Sequence, residues 1–186
     1  MKQSGRQRIH APRNAVWQAL NDTSVLRHCI DGCESFEQTA PGRFKAKVRA
    51  RIGPVNAMFA ADVTLAEEPS SSPNAQRFRL QVELERASAG FGKGEAEVTL
   101  TDEPGQTTLL TYEINAVVGG KLAQIGARLI DAAASAMASA FFSELEATLT
   151  GKATPKRTST APRAWLPWGA AAVVLTALIL SVLAFF

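Results

Sequence analysis

Any chemistry in this chain of 186 residues would have to come from a short inventory: 17 Asp and Glu, two histidines, two cysteines and one tyrosine. A general acid and its base need titratable groups that converge on one pocket. The carboxylates here do not converge. Asp62, Glu83, Glu85, Glu95, Glu97 and Glu113 all fall on the polar register of alternating segments, so the alternation that makes a strand two-sided turns them toward water. His10 stands at a strand-to-helix junction and His28 on a short helix, and no serine has the surroundings of a nucleophile. Cys29 and Cys33 lack the C-x-x-C redox spacing, and no second Cys or His pair lies nearby to make a zinc site. They read as two reduced, partly buried thiols. The expectation is a chain without catalytic or metal-ligating residues.

Two features with possible chemistry remain. Residues 90–94, Gly-Phe-Gly-Lys-Gly, are weak as a phosphate cradle because they join two strands rather than a strand and a helix. They form either a mobile hairpin that sets Phe91 at a pocket mouth or a plain bulged turn. Tyr112 faces inward in its strand, and a buried hydroxyl needs a partner, either a backbone carbonyl or a ligand oxygen.

The elements that must position these groups follow from hydrophobic periodicity. Residues 3–10 alternate weakly, and Pro12 suits the first position of a helix whose apolar edge is Val16, Trp17 and Leu20. A second short helix, capped by Thr23 or Ser24, presents Val25, Leu26, Cys29 and Ile30, and Gly32 ends it. From Arg43 to Ile52 the alternation is strict. Arg43, Lys45, Lys47, Arg49 and Arg51 form the wet face, and Phe44, Ala46, Val48, Ala50 and Ile52 the dry one. Inward sets come next at Val55, Ala57, Phe59, Ala61, Val63 and Leu65, at Phe78 to Leu84, at Ala96 to Leu100, and at Leu110 to Val118. From Gly119 to Leu149 the sequence reads as one helix of about eight turns, with Leu122, Gly126, Leu129, Ala133, Ala136 and Ala140 on its inward column.

That order predicts an α+β helix-grip, a curved antiparallel sheet wrapped round a long C-terminal helix. The inward column of the helix is thin, and Ala46, Ala50, Ala57 and Ala61 repeat the theme on the facing strands. Interiors pack densely, so small side chains on both walls leave volume to be filled. One reading is an apolar cavity lined by Phe44, Phe59, Phe78, Tyr112, Leu122, Gly126, Leu129, Ala133 and Ala136, with Phe91 at its mouth. The other is that larger side chains of the sheet fill the space.

Charge divides the chain. Residues 1–150 hold 16 Lys and Arg against 17 acids, a net −1, so the basic pI near 9.1 describes residues 151–186 and argues little for a nucleic-acid surface on the domain. Residues 151–164 are polar and rich in Pro and Thr, and contain Lys152, Lys156, Arg157 and Arg163 without an acid, the composition of a disordered linker. Residues 165–186 carry no charge at all. At ~1.5 Å per residue they span about 33 Å of helix, enough for a hydrocarbon core of about 30 Å, with Trp165 and Trp168 as interfacial anchors. The N-terminus has no apolar run to act as a signal, and the basic linker marks the inner side. The expectation is a tail anchor in the cytoplasmic membrane with the N-terminal domain in the cytoplasm.

Several blocks in order, WQALNDTSVLRHCIDGCESFE, IGPVNAMFAADVTL, AGFGKGEAEVTL and LTYEINAVVGGKLAQIGARLID with a later FF, resemble the CoxG family of carbon monoxide dehydrogenase accessory proteins, within the START-like, Bet v 1-like superfamily. The likeness covers about residues 3 to 146. Asp31 departs from it, since the family pattern usually has proline before GCE. The resemblance implies an accessory protein that is not an enzyme. Such a protein recruits a molybdenum hydroxylase of the carbon monoxide dehydrogenase type to the membrane and holds a respiratory quinone, menaquinone or ubiquinone, in the grip. The same superfamily contains aromatase/cyclase enzymes, which would need inward polar groups. A purely structural recruitment factor would need only a filled core and a partner surface.

Overall fold

The computed structural model describes residues 2–52, 55–70, 72–87, 90–120 and 123–151. Within them β1 (Lys2–Ile9) leads to α1 (Arg13–Asn21) and α2 (Thr23–Cys29). Next come β2 (Cys33–Ala40), β3 (Arg43–Ile52), β4 (Val55–Glu68), β5 (Ala75–Ala87), β6 (Gly90–Glu103) and β7 (Thr107–Gly119). A 3-10 turn (Ala123–Ile125) and α3 (Ala127–Thr150) complete the described chain. The strands form one curved antiparallel sheet in the order β1-β7-β6-β5-β4-β3-β2. The helices cover its inner face, which is the arrangement of a helix-grip.

The sheet follows directly from period two. Along β3 every second residue is buried, from Phe44 to Ile52, and the register with β4 sets Phe44 opposite Val63, Ala46 opposite Ala61 and Val48 opposite Phe59. Large and small side chains thereby interdigitate on one face. The other face carries the charges, with Lys45 3.4 Å from Asp62, Arg49 2.9 Å from Glu34 and Arg79 2.9 Å from Glu68. Exposed pairs of this kind contribute at most about 1 kcal/mol each, so burial of the inner face, not the charge ladder, holds the sheet.

Local signals fix the chain entries. Asp22, not Thr23 or Ser24, caps α2: its carboxylate accepts from the backbone N–H groups of Ser24 at 2.8 Å and Val25 at 3.3 Å. Pro12 is the N-cap of α1 rather than its first helical residue. Gly32 (φ 74°) takes the left-handed turn that brings the chain from α2 into β2. Its carbonyl accepts from Arg49 N–H at 2.8 Å, and a Cβ there would lie 2.2 Å from the Arg49 carbonyl oxygen. Thr108, buried in β7, donates its hydroxyl to the Ala11 carbonyl at 2.7 Å and ties the start of α1 to the sheet.

Three expectations change. Residues 33–40 form a strand that periodicity does not announce, because β2 buries only Phe36 and carries two register shifts at the sheet edge. The glycines at 90, 92 and 94 are not a connection but buried positions of β6, where Gly90 pairs with β5 and Gly92 and Gly94 pair with both β5 and β7. The long helix begins at Ala127, not Gly119, since β7 runs to Gly119 and a 3-10 turn intervenes. It ends at Thr150 with Gly151 in the left-handed conformation (φ 68°), where the composition changes. Among the described residues no helix is long and apolar enough to cross a membrane. Residues 152–186, and with them the expected linker and anchor, lie outside the described residues.

Candidate functional site

Whatever the grip encloses must sit between the inner face of the sheet and α1, α2 and α3. Each wall is built by its own periodicity. α1 contributes Leu20 and α2 contributes Leu26 at helical spacing; alternate residues of β2 to β5 and of β7 contribute Phe36, Phe44, Val63, Phe78 and Leu110; α3 closes the far side with Phe141 and Phe142. These side chains surround an apolar cavity of about 10 Å³, room for about one water molecule. The rings interlock around it, with Phe36 and Phe44 5.6 Å apart, Trp17 and Phe78 5.1 Å apart, and Phe141 edge-on to Phe142 at 5.4 Å. A wider hollow of about 600 Å³ lies on the outer face among Arg6, Arg77, Glu97 and Glu113. It is polar and open to solvent, so the interior is the place for an apolar ligand.

The structure divides the expected lining residues. Phe44 and Phe78 border the cavity. Phe59 and Tyr112 are buried in the surrounding core, 2 % and 3 % exposed. The Tyr112 ring lies over Gly5 of the paired strand, so close that a Cβ on Gly5 would fall 2.1 Å from its hydroxyl oxygen. Ala133 packs against the core edge. Leu129, 52 % exposed, Gly126 and Ala136 face away from the interior. Phe91 sits on the outer face of the sheet, 40 % exposed, with its ring over Gly119, and does not line the cavity. Leu122 and the membrane-anchor set Trp165, Trp168, Lys152, Lys156, Arg157 and Arg163 lie outside the described residues.

The helix correction is one of phase. Counting 3.6-residue steps from Leu122 assumes that the helix has already begun. In the structure α3 starts five residues later, and the face it buries is Ile130, Ala134, Ala138, Phe141, Phe142 and Leu145. These residues also recur at helical spacing, and the Phe141-Phe142 pair is the bulkiest signal in the segment. Larger residues of the helix, as well as of the sheet, therefore occupy the volume that the small-residue column suggested was spare.

No acid enters this interior among the residues expected to face out: Asp62, Glu83, Glu85, Glu97 and Glu113 are exposed and Glu95 is partly so. His28 faces Glu144 at 3.7 Å and His10 faces Glu146, both on the outer seam of α3. Burial pushes the Cys29 thiol up to about 11, the nearby Glu144 charge adding to it against a hydrogen bond from Thr148, and burial likewise raises Cys33. Both cysteines are free and remain protonated at neutral pH, which leaves them poor nucleophiles and poor metal ligands. Among the described residues no three His, Cys, Asp or Glu side chains gather in a group able to hold a metal.

The family model for the G subunit of carbon monoxide dehydrogenase (CoxG) matches residues 5–150. A conserved protein from Geobacillus kaustophilus superposes with a TM-score of 0.69 at 29 % identity, over 81 % of this chain and 96 % of that one. A START superfamily protein from Mycobacterium smegmatis gives 0.58 at 13 %, over 81 % and 97 %. The Zhui aromatase/cyclase from Streptomyces sp. R1128 gives 0.52 at 13 %, over 81 % and 93 %. At such identities the last two show the fold alone. A comparison with curated proteins finds no match.

Proposed function

The chain belongs to the CoxG family, named for the G subunit of carbon monoxide dehydrogenase, and from that premise we propose that it is a membrane-anchored, non-catalytic accessory protein. It binds a respiratory quinone inside the grip and links a molybdenum hydroxylase of the carbon monoxide dehydrogenase type to the electron-transport chain. The observation that carries this reading is the chemistry of the interior: its lining is apolar on every wall, aromatic on several, and free of carboxylates and histidines among the described residues. Such a lining suits a flat ring with an isoprenoid tail and gives an acid–base enzyme nothing to work with. The uncharged segment at residues 165–186 supplies the anchor, and the four cations of residues 152–164 favour the inner leaflet.

A cavity of about 10 Å³ is far below the ~300–1,000 Å³ of ligand pockets, so binding requires the sheet and α3 to separate. Organic extraction of the purified full chain, followed by mass spectrometry, should recover a quinone. Added quinone should quench the fluorescence of Trp17, which packs on Phe78 at the cavity. Recovery of no quinone or other lipid, together with no quenching, would sink the ligand reading.

The filled interior specifically favours a second reading, a recruitment factor without ligand. It expects removal of residues 165–186 to release the partner hydroxylase from the membrane, while bulky substitutions on the inner face that preserve folding leave electron transfer to the quinone pool unchanged.

A further inference from the structure

Register places three strand ends and the approach to α3 at one end of the grip. Ile52 pairs with Val55, Ala87 with Gly90, and Phe91 with Gly119, and α3 begins a few residues beyond β7. The opposite end holds the start of α1, where Arg13 lies 3.3 Å from Asp102, and the last turns of α3, where Glu146 meets His10. The exposed large apolar side chains of the described residues are Phe91, Val117 and Leu129, at 40 %, 56 % and 52 %. All three fall at the first end, two on the outer face of β6 and β7 and one on the first turn of α3.

The same end is cationic. Lys2, Arg51, Lys93 and Arg128 are exposed there and make no ion pair among the described residues. Of the acids nearby, Glu85 is engaged by Lys45 at 3.7 Å, which leaves three to set against the four cations: Glu83, across from Lys93, Asp131, and Asp31, beside the Gly32 carbonyl that accepts from Arg49. Apolar side chains ringed by excess cations match a phospholipid surface, where the former enter the acyl boundary and the latter meet phosphates.

We propose that this end of the grip docks on an anionic phospholipid bilayer, with Phe91, Val117 and Leu129 inserted and Arg51, Lys93 and Arg128 on headgroups. The proposal rests on the membrane-anchored reading above and adds an orientation to it: the domain stands end-on, with α3 beginning at the bilayer and Gly151 at the distal end. The tether permits this. The 13 residues from 152 to 164 reach about 45 Å when extended, and α3, with 24 residues, is about 36 Å long. An apolar ligand leaving the bilayer would then meet the grip at the end where α3 carries its thinnest side chains.

Brominated lipids test the orientation. The full chain is reconstituted into phosphatidylcholine vesicles containing a quarter phosphatidylglycerol, with bromine on the acyl chains. Val117→Trp and Leu129→Trp, both surface substitutions, should add fluorescence that is quenched at least two-fold more than that added by Gln38→Trp, which is exposed beside the β2–β3 turn at the other end. Phe91→Trp supplies a third site should either variant misfold. The difference should fall by half or more with Arg51→Glu plus Lys93→Glu, or in phosphatidylcholine alone. Equal quenching at all sites, stronger quenching at position 38, or none at any site overturns the proposal. Protection of positions 117 and 129 that appears only with the partner hydroxylase assigns this end to a protein and also overturns it. Because extraction reads the interior and bromine reads the rim, quinone recovered without rim quenching removes the docking alone, and rim quenching without recovered ligand removes the quinone reading alone.

Discussion

The two halves of α3 share one helix and meet opposite surroundings. From Phe141 onward the helix buries Phe141, Phe142 and Leu145 and partly buries Leu149, while His10 and His28 face Glu146 and Glu144 along its seam. From Ala127 to Ala140 only Ile130, Ala134 and Ala138 are buried, and Leu129, Ala132, Ala136 and Ala140 face solvent. Cohesion is thus concentrated at the end of the grip where the described chain stops. The other half keeps its place through a narrow line of contacts, so it is the part that can lift from the sheet at least cost.

The contrast is broken most severely by truncating the heavy half. Phe142→Ala leaves a cavity among rings that cannot collapse onto it, and should lower the unfolding free energy by about 3–5 kcal/mol in urea titrations. A loss below about 1 kcal/mol would show that this half does not carry the fold.

Enlargement gives a smaller and directional effect two residues apart. Ala134→Leu overpacks the buried line and should destabilise by about 1–3 kcal/mol, whereas Ala136→Leu, on the exposed face, should stay within about 0.5 kcal/mol. Equal effects would mean that the helix is turned relative to the phase described above.

The phase is also where sequence reading was least informative. Strict alternation made β3, β4, β5 and β7 legible residue by residue, and with them the inward positions of Phe44, Phe59, Phe78 and Tyr112. The edge strand β2 was not legible, because only Phe36 is buried and bulges interrupt its alternation. For α3 two columns competed. Ala supports a helix at any angle, so Ala133, Ala136 and Ala140 fit a column as well as Ala134 and Ala138 do, and only the bulk of Phe141, Phe142 and Leu145 breaks the tie. Phe91 was misplaced for a different reason. A Gly-Phe-Gly run reads as a loop, and only pairing with Gly119 shows it to be a strand with the ring outward.

The smallest expected effect lies at the packed side and concerns pH. The Ser24 hydroxyl, then the backbone N–H groups of Ser24 and Val25, hold the Asp22 carboxyl below its usual value. A group whose folded pKa is depressed contributes stability that is complete above its unfolded pKa, about 3.9 for aspartate, and that is lost as the pH falls through the lower folded value. The α2 cap should therefore be intact at neutral pH and weaken only in strong acid. Asp22→Asn keeps a capping oxygen but has no proton to take up, so its stability difference from the parent chain should shrink as the pH drops below about 4. Urea midpoints measured between pH 7 and pH 3 read this directly. A difference that stays constant, or grows, over that range would mean that the carboxylate is not held by the α2 backbone, and that the packed side relies on the burial of Leu26 and Cys29 rather than on its cap.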